Sequence, residues 1–294
     1  MLDLKKPFTD YDGKTGGLTF SILVVINVFI SLIGQLILGA TNLIEGSYQY
    51  MAASASFSLI SIIITVTLVK FLSKKPLLKM VRAKKFDPYF ILPAILLAMG
   101  MFFCFGFLNN AIGTALRDAG LIDISRESVW LPNVGSLILC LVMLAILPAF
   151  LEEILFRGLL VSAGRKSNLV SIILTIGVMF AIYHASPVKF AYQFIYGVGL
   201  TFLAVKSGSV FPPMIAHLIN NVVIVVLEYV DVTLNFTAPL VIVSGAVLLV
   251  AFIFLTLFLD RRKFKREEKC KNMWIVGSFG VFICALIAVL GLVL

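Results

Sequence analysis

The two histidines of this chain, His184 and His217, both lie in apolar stretches long enough to cross a membrane. A third such stretch carries Leu151-Glu152-Glu153-Ile154-Leu155-Phe156-Arg157. An ionisable side chain in hydrocarbon costs at least about 2.5–3.5 kcal/mol on insertion scales, so these groups mark function or helix-gluing pairs. Helix geometry sorts the acids. Glu153 and Arg157 are four residues apart and share a face. Pairing them lowers the cost of burying either. Glu152 is turned about 100° away and is left free to act on something else. Pro148 lies four residues before Glu152. It denies the Leu144 carbonyl its helical partner and should kink the span there.

Phe180 and His184 also share a face at four-residue spacing, and so do His217 and Asn221. Pro212-Pro213 suits the first turn of the helix that carries the second pair. Glu152, His184, His217 and Asn221 can meet at one depth if the helices tilt, with His184 the least comfortable member. One carboxylate, two imidazoles and an amide invite hydrolysis. The carboxylate can take a proton from water, and a histidine can hold that water or share the proton. His217 and Asn221 can donate to the oxyanion of an attacked amide. The residue types assign no cofactor outright. Glu152, His184 and His217 also suit a zinc ion with an open water position, although HExxH is absent. No Ser-His-Asp arrangement and no Gly-rich phosphate loop stands out.

The elements that must carry these groups are membrane helices. Hydrophobic residues make up 61% of the chain and charged residues 13%. This composition predicts an all-α, polytopic membrane helical bundle of about eight to nine transmembrane helices. Apolar runs at 18–40, 53–72, 89–109, 134–162, 168–186, 189–205, 210–228, 238–259 and 273–293 supply nine candidates. They divide the chain into an N-terminal group of about three spans (1–129), a four-span core with the polar motifs (130–230) and two C-terminal spans (231–294). The four cysteines have no metal-ligand spacing and read as buried apolar side chains. Asn27, Gln35, Asn109, Asn110 and Gln193 read as interhelical hydrogen-bond partners. Lys70 reads as snorkelling to the surface, and Gly197 and Gly199 as helix-packing positions.

The net charge of +9 does not call for nucleic acid. With the N-terminus in the cytoplasm and alternating spans, every Lys and Arg except Arg117, Arg126 and Lys189 falls to the cytoplasmic side. Those basic segments meet anionic lipid headgroups. The reading is a multi-pass protein of a cell membrane, bacterial in style, with the N-terminus inside and the C-terminus outside.

The three motifs, in order, resemble the CPBP family of CAAX proteases and bacteriocin-processing enzymes, also called Abi. Its EExxxR, FxxxH and HxxxN motifs stand here as Glu152-Glu153…Arg157, Phe180…His184 and His217…Asn221. The resemblance covers about residues 130–230 and implies an intramembrane endopeptidase, either metalloprotease or metal-free glutamic protease. It implies Glu152 as the base acting on water with His184 as its partner, and His217 and Asn221 as the oxyanion site. Glu153 and Arg157 would support the architecture. Eukaryotic members cleave prenylated C-terminal tripeptides. For this chain the implied partner is a membrane-associated peptide or protein within the lipid bilayer. Two other classes share the features: a non-catalytic scaffold or bacteriocin-immunity protein on the same fold, and a proton-coupled transporter. No repeated pair of interrupted helices supports transport.

A reporter fused after Lys75 or Arg262 should read cytoplasmic, and one between Glu228 and Asn235, or after Leu294, external. A cytoplasmic reading after Leu294 would mean that the span count is off by one.

Overall fold

The computed structural model describes residues 11–121, 131–232, 234–260 and 270–293. Among these residues the chain folds into helices and no strand. The long helices are α1 (Gly13–Gly39), α2 (Tyr48–Ser73), α3 (Pro88–Asp118), α4 (Val134–Ala163), α5 (Leu169–Tyr183), α6 (Pro187–Ser207), α7 (Phe211–Tyr229), α8 (Pro239–Leu259) and α9 (Lys271–Val293). All but α5 are long and apolar enough to cross a membrane. The protein is a multi-pass membrane helical bundle. Arg126 and the basic run 261–269, on which part of the orientation rests, lie outside the described residues, as do residues 1–10.

Local chemistry sets the helix starts. The side chains of Asp12, Ser47, Asn133 and Asn168 accept backbone N–H groups at the starts of α1, α2, α4 and α5. Proline occupies the first turns of α3, α6, α7 and α8, where its missing N–H costs nothing. Buried hydroxyls are satisfied within their own helices: Thr19 donates to the Thr15 carbonyl and Thr65 to that of Ser61, each at 2.8 Å.

Three expectations shift. The third span runs on to Asp118 rather than ending near 109, because nothing stops the helix before Gly120, whose φ of +79° terminates it. The fifth helix is shorter than 168–186, with 15 residues, or about 22 Å. It stops at Tyr183 because Ala185 takes a left-handed conformation at φ 47° and Pro187 starts α6. The helices α5 and α6 pack side by side as an antiparallel hairpin. A hairpin returns the chain to the side from which it came, so the short α5 leaves the parity of the topology intact. The buried side-chain carbonyls of Asn27 and Asn109 have no hydrogen-bond partner, and Gln35 and Asn110 are exposed, so these residues do not form the interhelical bonds expected of them. Lys70 is exposed near the end of α2, as its snorkelling requires.

The helix α4 is central and touches α1, α2, α5, α6 and α7. One apolar cluster joins α1, α2, α5 and α9 to the second half of α4, through residues such as Phe20, Phe156 and Phe180. A second joins α3, α6, α7 and α8, through Leu97, Tyr196 and Phe252. A third packs the first half of α4 against the second half of α7, through Cys140 and Val225. The N-terminal, central and C-terminal thirds of the sequence therefore interleave in space. The outer faces carry exposed apolar side chains such as Phe29, Leu240 and Phe254, as lipid contact requires.

The turn after α5 gives a test. An L-residue in the left-handed region costs about 1–2 kcal/mol that glycine avoids. Ala185→Gly should raise the thermal midpoint in detergent and Ala185→Val should lower it. A fall for both would show that contacts of the Ala185 methyl outweigh the backbone term.

Candidate active site

Two π-helical stretches, Leu141–Ile146 and Ile154–Leu160, interrupt α4 and bracket the α-helical turn that carries the acids. Such widened turns recur at functional sites. Pro148, where a kink is expected, follows the first of them. Pro148 has no N–H to give to the Leu144 carbonyl. The Asn221 side chain donates to that oxygen at 3.4 Å. A backbone group freed on one helix thus holds a motif residue of another.

Glu153 and Arg157 form the ion pair their spacing predicts. Arg157 Nη1 donates to Glu153 Oε1 at 2.7 Å, and both side chains are fully buried. Arg157 Nη2 donates to the Gly197 carbonyl of α6 at 3.2 Å, and the guanidinium lies 4.3 Å from the centroid of the Phe180 ring. Gly197 of α6 packs against α5. A Cβ there would lie 3.0 Å from the Phe180 ring and 3.2 Å from Gly177 Cα. It is the helix-packing position expected, and it also leaves its carbonyl to the arginine.

The imidazole of His217 lies between the two glutamates. Its Nδ1 is 2.9 Å from Glu153 Oε1 and its Nε2 is 4.0 Å from Glu152 Oε2. A carboxylate that already accepts from arginine accepts again here, so Nδ1 carries the proton and donates. Neutral His217 then presents a lone pair on Nε2. Glu152 Oε2 is buried and has no hydrogen-bond partner. With His217 in that form, two acceptors face each other across 4.0 Å, a gap that suits a donor with two protons.

His184 follows α5 as its C-terminal cap, and its Nδ1 is 2.8 Å from the Phe180 carbonyl. A carbonyl only accepts, so Nδ1–H donates and Nε2 is left open. Phe180 packs edge-on against both imidazoles, with ring centroids 4.8 Å from His184 and 5.9 Å from His217. The ring of Tyr196 packs edge-on to His217 from α6.

The geometry thus gathers Glu152, Glu153, Arg157, Phe180 and His217, and His184 packs against the same Phe180 ring. Asn221, one turn beyond His217, is anchored to α4 and lines a small cleft of about 180 Å³ with Leu144 and Glu228. His217 is an imidazole with a nitrogen 4.0 Å from Glu152 Oε2. Helix spacing carries no information about which partner a ring nitrogen meets. Sequence reasoning passed over Asn220 and Tyr192. The Tyr192 hydroxyl donates to Asn220 Oδ1 at 2.6 Å, and Asn220 Nδ2 donates to Asn221 Oδ1 at 3.3 Å. The three-residue spacing of His217 and Asn220 was the available signal.

Each imidazole has its Nδ1 tied down and its Nε2 open, the usual state of a metal-binding histidine. Even so, no three His, Cys, Asp or Glu side chains among the described residues are grouped as a metal would need. Glu152, His184 and His217 as they stand do not make a zinc site.

Residues 134–223 match the family described as type II CAAX prenyl endopeptidase Rce1-like. The match bears out the resemblance read from the three motifs and falls on α4 to α7, the helices that build this site. No curated protein and no solved structure matches the chain.

The division between the acids gives a test. Removing one partner of a buried ion pair costs about 3–5 kcal/mol. Glu153→Gln or Arg157→Leu should therefore cut the amount of folded protein recovered from membranes. Glu152→Gln should leave it near wild type, because Glu152 Oε2 has no bond to lose. Equal losses for Glu152→Gln and Glu153→Gln would contradict the division.

Proposed function

We propose that this chain is an intramembrane endopeptidase that hydrolyses a peptide bond of a membrane-associated peptide or protein, with water as the nucleophile. The observation that carries this reading is the pair of facing acceptors, Glu152 Oε2 and His217 Nε2, held 4.0 Å apart inside the bundle. A water that donates one hydrogen to each is oriented with its lone pairs outward, toward a substrate carbonyl. As the water oxygen bonds to the carbonyl carbon, its proton passes to Glu152 or to His217 Nε2. An imidazolium on His217 is stabilised through Nδ1–H by Glu153, much as the aspartate of a serine-protease triad stabilises its histidine. The same proton goes to the peptide nitrogen as the C–N bond breaks. Products are a carboxylic acid and an amine, and no acyl-enzyme forms.

The role of His217 as oxyanion donor passes to Asn221, whose Nδ2 has a second N–H beyond the one given to Leu144. The open Nε2 of His184 is an acceptor that can hold a substrate N–H or a second water. The chain is placed in the cell membrane with its N-terminus cytoplasmic, supported by the distribution of Lys and Arg.

The test is turnover by purified protein in lipid nanodiscs against a library of membrane peptides, with products read by mass spectrometry. Glu152→Gln should abolish cleavage in folded protein. Asn221→Ala should lower kcat by roughly 100-fold with KM little changed. Chelators and serine- or cysteine-directed reagents should have no effect. A covalent acyl-enzyme trapped on serine or cysteine would overturn the mechanism, and loss to chelators restored by zinc would overturn its metal-free form. Cleavage undiminished in Glu152→Gln would remove the site assignment.

A further inference from the structure

A second polar feature lies well away from these acids, at the end of the bundle that collects Lys and Arg. A cleft of about 370 Å³ opens between the start of α1, the segment after α2 and the end of α4. Lys75, Lys79, Lys84 and Arg165 line it together with Arg82, and no carboxylate among the described residues does. Snorkelling cations alone would be an ordinary consequence of topology. Two hydroxyls make this cleft different. Tyr11 is 6% exposed and lines the cleft, and its Oη has no hydrogen-bond partner. Ser162 also lines the cleft, and its Oγ is buried and equally without a partner. Buried polar atoms are normally satisfied, so a pair left open beside several cations requires explanation. Burial pushes the Tyr11 phenol upward, which keeps it a protonated donor.

The walls are built. Val81 is buried against Gly158 of α4, where an added Cβ would come within 2.8 Å of Val81 Cβ. The carbonyl of Arg82 accepts from Val210 N at 3.4 Å, and that of Lys84 accepts from Ser209 Oγ at 2.8 Å. The Ser73 hydroxyl contacts Met80 Sδ at 3.2 Å. The backbone that presents these cations is thereby fixed to α4 and to the start of α7.

We propose that this cleft is a binding site for a phosphate group, with Tyr11 and Ser162 donating to its oxygens and Lys79, Lys84 and Arg165 matching its charge. Hydrogen bonds to an ionised acceptor are the strong ones, and arginine fits phosphate geometry. Phospholipid headgroups carry such a group at this depth, and inorganic phosphate carries it in solution. The proposal does not depend on the hydrolytic reading of the other site, and its test needs no activity.

The experiment is native mass spectrometry of the full chain released from nanodiscs of phosphatidylglycerol mixed with phosphatidylcholine. Wild type should retain one phosphatidylglycerol molecule in preference to phosphatidylcholine. Tyr11→Phe, which removes one hydroxyl and nothing else, should weaken retention roughly tenfold. Lys79→Gln with Arg165→Gln should abolish it. Lys74→Gln with Lys166→Gln removes the same charge from exposed positions outside the cleft and should leave it unchanged. Displacement of the lipid by millimolar inorganic phosphate supports the site with a soluble source. Resistance to phosphate supports it with a lipid source. Equal weakening by the two double variants would reduce the effect to diffuse electrostatics and overturn the proposal. No preference for phosphatidylglycerol, or full retention by Tyr11→Phe, would overturn it as well.

Discussion

The buried pair of Glu153 and Arg157 is the interaction on which the rest of the arrangement depends. Two charges removed from water carry a desolvation penalty that their mutual attraction repays only with good geometry and further hydrogen bonds. Here the further partners come from other helices. The Gly197 carbonyl of α6 and the face of Phe180 from α5 meet the guanidinium, and the imidazole of His217 from α7 meets the carboxylate. One charge pair on α4 therefore sets the positions of three other helices. It lies where the apolar clusters of the bundle approach one another, with Phe156 and Phe180 on one side and Tyr196 on the other. If that pair is lost, His217 loses the group that fixes its proton on Nδ1.

Irregular backbone belongs to the same logic. In hydrocarbon every backbone polar group must find a partner within the protein. Pro148 leaves the Leu144 carbonyl without one, the helix widens into a π turn, and Asn221 reaches across to the freed oxygen. A second π stretch follows directly after the acids. With α4 widened on both sides, two consecutive residues serve the two nitrogens of one imidazole. Glu153 holds the ring by Nδ1, and Glu152 stands 4.0 Å from Nε2.

The two polar regions of the molecule differ in kind. The interior one is built from few charges: Glu153, Arg157 and His217 bond to one another, while Glu152 Oε2 and Glu153 Oε2 have no hydrogen-bond partner. The end of the bundle carries many cations beside two unpartnered hydroxyls. The helix α4 runs through both, with Glu152 in the first and Ser162 ten residues further on, about 15 Å along its axis. The same helix thus carries residues of both regions.

Composition and spacing were enough to specify the membrane bundle, the prolines at the start of α7 and the pairing of Glu153 with Arg157. Each of these is local, set within one helix by hydropathy, proline geometry or a four-residue step. The three motifs, read as chemistry and as a resemblance, located the site on α4 to α7. Sequence did not decide which imidazole stands beside Glu152. It did not show that His217 turns its Nε2 toward that acid, that Asn221 is tied to Leu144, or that Tyr192 and Asn220 join the network. It also overextended the fifth helix, because the left-handed turn at Ala185 depends on how α5 and α6 close against each other. These are relations between helices. They depend on rotation, tilt and register in three dimensions, and a one-dimensional pattern does not contain them.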